Sequence, residues 1–108
     1  MWLFTTYGFL SVVQHKDVTD HFQVKSRVRA PLEALWPEHD ILVIDWADYR
    51  FRITIEKSVA LPVLLEVMGS VDYTSFKGAC GQDSRYHLTL SKVWNIMYSY
   101  QSEMESLI

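Results

Sequence analysis

The chain has 108 residues, of which 49% are hydrophobic and 14% aromatic, a formal charge of −3 and one cysteine. That length supports one core rather than two, and the apolar content excludes disorder. The acidic balance argues against coating long nucleic acid, and the lone Cys80 excludes an intramolecular disulfide and suits a reducing compartment.

In chain order, Trp2-Leu3-Phe4-Thr5 and Phe9-Leu10-Ser11-Val12-Val13 flank a turn at Thr6-Tyr7-Gly8 and read as a tight hairpin. This apolar start lacks a positive leading region, so neither a signal peptide nor a membrane span is expected, and the cytoplasm is the expected location. His15 to Asp20 form a polar loop. His21 to Arg29 then alternate apolar and polar residues with period two, the pattern of a strand with one wet face.

Pro31, Leu32, Leu35 and Trp36 predict about two turns of helix, stopped by Pro37. Ile41 to Ile44 read as a brief strand, Asp45-Trp46-Ala47-Asp48 as a turn, and Tyr49 to Ile55 as a second alternating strand that pairs with it. Ser58 is a candidate cap for a helix ending at Gly69, in which Val59, Leu61, Val63, Leu64, Val67 and Met68 supply the buried side and Pro62 falls in or near the first turn. Asp72 is expected to cap a short helix through Cys80, and Ser84 a longer one to about Gln101. Tyr86, Leu90, Val93, Trp94 and Met97 define the apolar face of that last helix.

This order predicts an α+β fold, an antiparallel sheet with helices on one face, ferredoxin-like with an added N-terminal hairpin. Residues 1–101 are expected to form a single domain, with 102–108 as a tail that frays.

The two alternating strands carry the functional signal. Phe22, Val24, Val28, Tyr49, Phe51, Ile53 and Ile55 are expected to point into the core, and Lys25, Arg27, Arg29, Arg50 and Arg52 to point out. Those five are half of the ten Lys and Arg in the chain. Together they would give one sheet face a positive field suited to a phosphate or carboxylate. The plainer alternative is a solvated face whose cations pair with Asp45, Asp48 and Glu56.

Trp2, Phe4, Tyr7, Trp46, Tyr73 and Phe76 could supply a stacking wall for a base, although most aromatics in a small domain are core. Lys77, one turn into the short helix after Asp72, could join the free N–H groups there in holding an anion; otherwise Asp72 is a cap and Lys77 a solvated charge. His15, His21, His39 and His87 are scattered, Cys80 has no partner at ligand spacing, and no Gly-rich phosphate loop or nucleophile elbow is present. No cofactor and no catalytic role are therefore expected.

Several of these residues resemble those of a group of small bacterial and phage proteins with no assigned activity. The similarity lies in Met1 to Thr5, Gly8-Phe9, Ser11-Val12-Val13, Val24-Lys25, Arg27, Val28-Arg29, Leu32, Ala47-Asp48-Tyr49-Arg50, Asp72-Tyr73, Phe76-Lys77, Val93-Trp94 and Met97-Tyr98. By type rather than by matched residues, the chain also resembles the proteins with which phages sequester nucleotide immune signals. The expectation is a non-catalytic module that binds a small phosphorylated ligand, ADP-ribose-like or a cyclic nucleotide. Its expected site residues are Trp2, Phe4, Tyr7, Lys25, Arg27, Arg29, Arg50, Arg52, Tyr73 and Lys77. A homo-oligomer is expected, since such sites often lie between subunits. The alternatives are a protein-interaction module docking on a host complex, a single-stranded RNA binder and a nucleotide-cleaving enzyme.

Overall fold

Period-two alternation sorts the strand residues onto two faces of one sheet, and the computed structural model, which describes residues 1–107, shows which face is closed. The strands are β1 (Trp2–Thr5), β2 (Gly8–Gln14), β3 (His21–Ser26), β4 (Leu42–Val43) and β5 (Phe51–Glu56). They form a five-stranded antiparallel sheet in the order β1-β2-β3-β5-β4. The helices are α1 (Ala30–Leu35), α2 (Lys57–Gly69), α3 (Phe76–Ala79) and α4 (Ser84–Glu105). The fold is thus α+β, and the N-terminal hairpin is β1–β2.

The register contains a split β-α-β unit. β3 and β4, joined through α1, are each antiparallel to β5, so they run parallel to one another with β5 between them. This is the central element of a ferredoxin-like sheet. β2 takes the position beside β3 that the strand after the second helix holds in the β-α-β-β-α-β order, so the arrangement is a permuted one.

Chain contacts divide the described residues into two compact units, the first spanning Met1–Val71 and the second beginning at Asp72. In the first, Leu10, Val12, Val24, Ile53 and Ile55 come from one face of the sheet and are buried with Leu32 and Trp36 near α1 and Ala60 of α2. Leu3, Phe22, Phe51, Val63 and Leu64 pack against them. Full burial of each large aliphatic side chain stabilises by about 1.5–3 kcal/mol, so this layer holds the unit together.

Gly8 closes the hairpin at φ +138°, and a Cβ there would lie 3.0 Å from Pro31 Cγ. The first turn of α1 can therefore sit against the hairpin only because residue 8 has no side chain.

Several expectations shift. β3 ends at Ser26, so Arg27 and Arg29 lie outside it, and Arg29 instead precedes α1 as its N-cap residue. Val28 is exposed rather than core. α2 begins at Lys57 without a side-chain cap; the Lys57 N–H donates to the Asp20 carbonyl instead, so Ser58 is inside the helix. Pro62 then falls in the second turn, where it removes one helical hydrogen bond. α2 is apolar all round, and burial takes the Ala60, Val63 and Leu64 side while Val59, Leu61 and Met68 stay exposed.

In the second unit the caps are Ser75, whose hydroxyl accepts from the Gly78 N–H, and Asp83, whose carboxylate accepts from Arg85 and Tyr86 N–H. Asp72 and Ser84 are not the caps. α4 continues to Glu105, past the expected end at Gln101.

Candidate functional site

The second face of the sheet carries the cations. Strand pairing places Trp2 opposite Ser11, Ser11 opposite Lys25, and Lys25 opposite Arg52. These four residues form one row across β1, β2, β3 and β5, spanning three strand gaps or about 14 Å. Trp2 is 68% exposed, while Ser11 between Trp2 and Lys25 is buried. The row therefore runs from an aromatic wall, over a small residue, to two cations.

A second aromatic layer extends it. Phe4 pairs with Phe9 across the hairpin, their ring centroids 4.6 Å apart, and Trp2 meets Phe9 edge-on at 5.6 Å. Tyr49 joins this group through Phe9 at 6.4 Å, instead of entering the core as its sequence position suggests. The Lys25 ammonium lies 6.0 Å and the Arg27 guanidinium 4.3 Å from the Tyr49 ring centroid, so cation–π attraction holds the basic groups beside the rings.

The five expected cations do not act alike. Arg27 donates to an Asp48 carboxylate oxygen at 2.7 Å and to the Asp48 carbonyl. The hydrogen bond to Asp48, partly opposed by desolvation, holds the Arg27 guanidinium above its ordinary range. Arg50 is paired with Asp45 at 2.7 Å. Arg29 and Arg50 lie over the ring of Phe51, a residue of the core face, at 5.1 and 5.5 Å. Asp45 and Asp48 thus fill the partner roles that the plainer sequence reading gave them.

Lys25 and Arg52 stand apart. They sit directly opposite one another in the ladder, where like charges repel, and neither forms an ion pair among the described residues. Arg52 donates through Nη2 to the Tyr49 carbonyl at 2.8 Å, while its buried Nε has no hydrogen-bond partner among the described residues. This leaves a held guanidinium with donor capacity to spare, and guanidinium groups bind phosphate and carboxylate through paired N–H donors.

Tyr7 lies exposed in the hairpin turn. Tyr73 and Lys77 belong to the second unit: Tyr73 contacts Phe76 at 6.0 Å, and the Lys77 ammonium lies 5.1 Å over the Trp94 ring. The Ser75 hydroxyl takes up the Gly78 N–H, one of the donors the sequence reading offered to an anion. Trp46 is almost fully exposed between β4 and β5.

Sequence reasoning did not place Phe9 in the site and assigned Tyr49 elsewhere. The signal for Phe9 was a two-residue hairpin turn, which sets it opposite Phe4. Among the described residues no three His, Cys, Asp or Glu side chains cluster in a way that would hold a metal ion, and no helix is long and apolar enough to cross a membrane. Comparison with protein-family models, curated proteins and solved structures finds no match.

Proposed function

We propose that the first unit is a non-catalytic binding module that captures a small phosphorylated ligand on the open face of its sheet. Lys25 and Arg52 receive the phosphate, and Trp2, with Phe4 and Phe9 beside it, receives the base. The observation that carries this reading is the Lys25–Arg52 pair: two like charges opposed in a ladder, in a row that ends at the exposed Trp2 ring, with no ion pair to an acidic residue among the described residues. An anion between them would turn a repulsive cross-strand pair into an attractive triad. Stacking on the rings would add about 1–3 kcal/mol per base.

A ligand joining a base to phosphate fits this row, which favours a nucleotide-derived signal such as ADP-ribose or a cyclic nucleotide. We read this face as one that sequesters its ligand, because what it offers is charge and stacking.

The test is calorimetric titration with ADP-ribose and with cyclic nucleotides. Lys25→Ala combined with Arg52→Ala should abolish binding while leaving the fold intact. Arg27→Ala combined with Arg50→Ala should reduce it only a few-fold, because those two cations already have acidic partners. Equal loss in both double variants would assign the affinity to general charge and remove the row from the argument.

A second reading is a protein-interaction module that docks on a host complex. It is favoured by Leu61, Leu65 and Met68, which follow one another along α2 at helical spacing and are all exposed. This reading predicts one stable macromolecular complex, disrupted by Leu65→Glu, and no small-molecule binding.

A further inference from the structure

The two edges of the sheet are built differently. β4 is two residues long and set between Asp40 and Asp45, the short, charged kind of edge that discourages pairing with another chain. β1 has none of those devices. No side chain from Met1 to Gln14 is charged, none of those residues is proline, and the pairing of Trp2–Thr5 with Gly8–Ser11 runs without a bulge.

Hydrogen-bond parity shows what that edge offers. The Met1 amino nitrogen donates to the Val12 carbonyl, and the Val12 N–H donates to the Met1 carbonyl, each at 2.8 Å. Met1 and Val12 are therefore a hydrogen-bonded pair of the antiparallel ladder, and alternation makes Leu3–Leu10 and Thr5–Gly8 the next two. Trp2 and Phe4 fall between them. Their backbone N–H and C=O groups point away from β2, on the side where the sheet has no further strand.

The same parity selects the occupant. Trp2 and Phe4 lie on the open face, while Leu3 lies on the closed face at the margin of the core. An incoming strand must therefore present outward N–H and C=O groups on two residues spaced by one, with rings above and an aliphatic side chain below. β1 itself meets this description. A two-fold axis at Leu3 sets Trp2 opposite the partner's Phe4 and Phe4 opposite the partner's Trp2, so all the outward groups pair and Leu3 meets the partner's Leu3 beneath. The uncharged segment sets no repulsion against its own copy and offers a charged peptide no partner.

We infer that β1 is a self-association edge, on which a second copy of this chain adds its own β1 in antiparallel register centred on Leu3. The two sheets become continuous, and each copy supplies a ring to the other's aromatic wall: the partner's Phe4 follows Trp2 in the row that begins at Arg52 and Lys25. Cross-strand aromatic pairs are a stabilising unit of a sheet, and here they give the 68% exposed Trp2 ring its missing neighbour. The inference rests on the backbone of β1 and not on the ligand proposal.

Sedimentation velocity without ligand, over a hundredfold concentration range, tests it. The wild type should sediment as a dimer at the upper end. Trp2→Lys with Phe4→Lys sets like charges opposite one another across the junction and should sediment as a monomer of unchanged circular dichroism. Trp2→Lys with Phe4→Glu sets opposite charges there and should restore the dimer. Phe4→Pro should weaken the dimer by about tenfold more than Phe4→Ala, because both lose the ring and only proline loses the outward N–H. A monomeric wild type at every concentration, a dimer indifferent to the paired lysines, or no recovery with the lysine and glutamate combination would each overturn the inference.

Discussion

The two faces of the sheet are built from the same strands, yet they solve opposite problems. On the closed face Leu10, Val24, Ile53 and Ile55 meet Leu32, Trp36 and Ala60, and each apolar group has apolar neighbours. On the open face Lys25 and Arg52 meet each other, and the neighbours are rings rather than acids. The difference teaches where to look for function. A side chain whose surroundings satisfy it explains the fold, whereas a like-charge pair held in register with no ion pair among the described residues marks a place to test for an anionic ligand.

Substitutions on each face should separate these roles. The largest effect on stability is expected in the closed face: Leu32→Ala should cost about 2–5 kcal/mol, read as a fall in the urea midpoint, because it empties a fully buried position between helix and sheet. Gly8→Ala should follow at about 1–3 kcal/mol, since it combines a positive φ with a Cβ pressed on the Pro31 ring. Thermal melts would check it, and a neutral result would show that the hairpin can move away from α1.

On the open face the contrast inverts. Trp2→Ala, at an exposed position, should change stability by no more than about 0.5 kcal/mol, and Lys25→Ala with Arg52→Ala, at half-buried positions where the Arg52 hydrogen bond to the Tyr49 carbonyl is lost, by about 1 kcal/mol, while each removes ligand binding. Asp48→Asn should cost at most about 1 kcal/mol, because the Arg27 pair is exposed and screened by water. It should also tighten ligand binding slightly by freeing a third cation beside Tyr49.

The smallest effect concerns pH. Burial, with a further contribution from Asp83, raises the Cys80 thiol above its ordinary range. The folded state therefore favours the protonated thiol. The associated stability is fully present below the ordinary thiol pKa and is lost as pH rises through the higher folded value. Melting temperatures should stay level from neutral pH and decline only in the alkaline range, and native Cys80 should react with thiol reagents far more slowly than unfolded chain. Rapid labelling at neutral pH would contradict that burial.

Much of the fold was legible because alternation is a direct reading of a sheet with one closed face. Phe22, Val24, Ile53 and Ile55 announce the core, and a turn at residues 6–8 announces the hairpin. Helix caps were less legible: Ser58, Asp72 and Ser84 are good caps by type, but the Asp20 carbonyl, Ser75 and Asp83 hold those positions instead. The choice depends on backbone geometry several residues away. The candidate site was half legible. The basic strands stand out in the sequence, but only pairing shows that Asp45 and Asp48 take two arginines and that Lys25 faces Arg52. Tyr49 illustrates the limit: it continues the inward parity of β5, yet that strand starts at Phe51, so parity no longer governs where its ring goes.

The most direct test is native mass spectrometry of the protein purified from cells supplied with nucleotide signals, followed by denaturation and analysis of the released fraction. Wild type and the Arg27→Ala, Arg50→Ala variant should each release an intact phosphorylated compound, and the Lys25→Ala, Arg52→Ala variant should be empty. Apo masses for all three, or equal retention in the Lys25 and Arg52 variant, would contradict the claim that the open face of the sheet is the binding site.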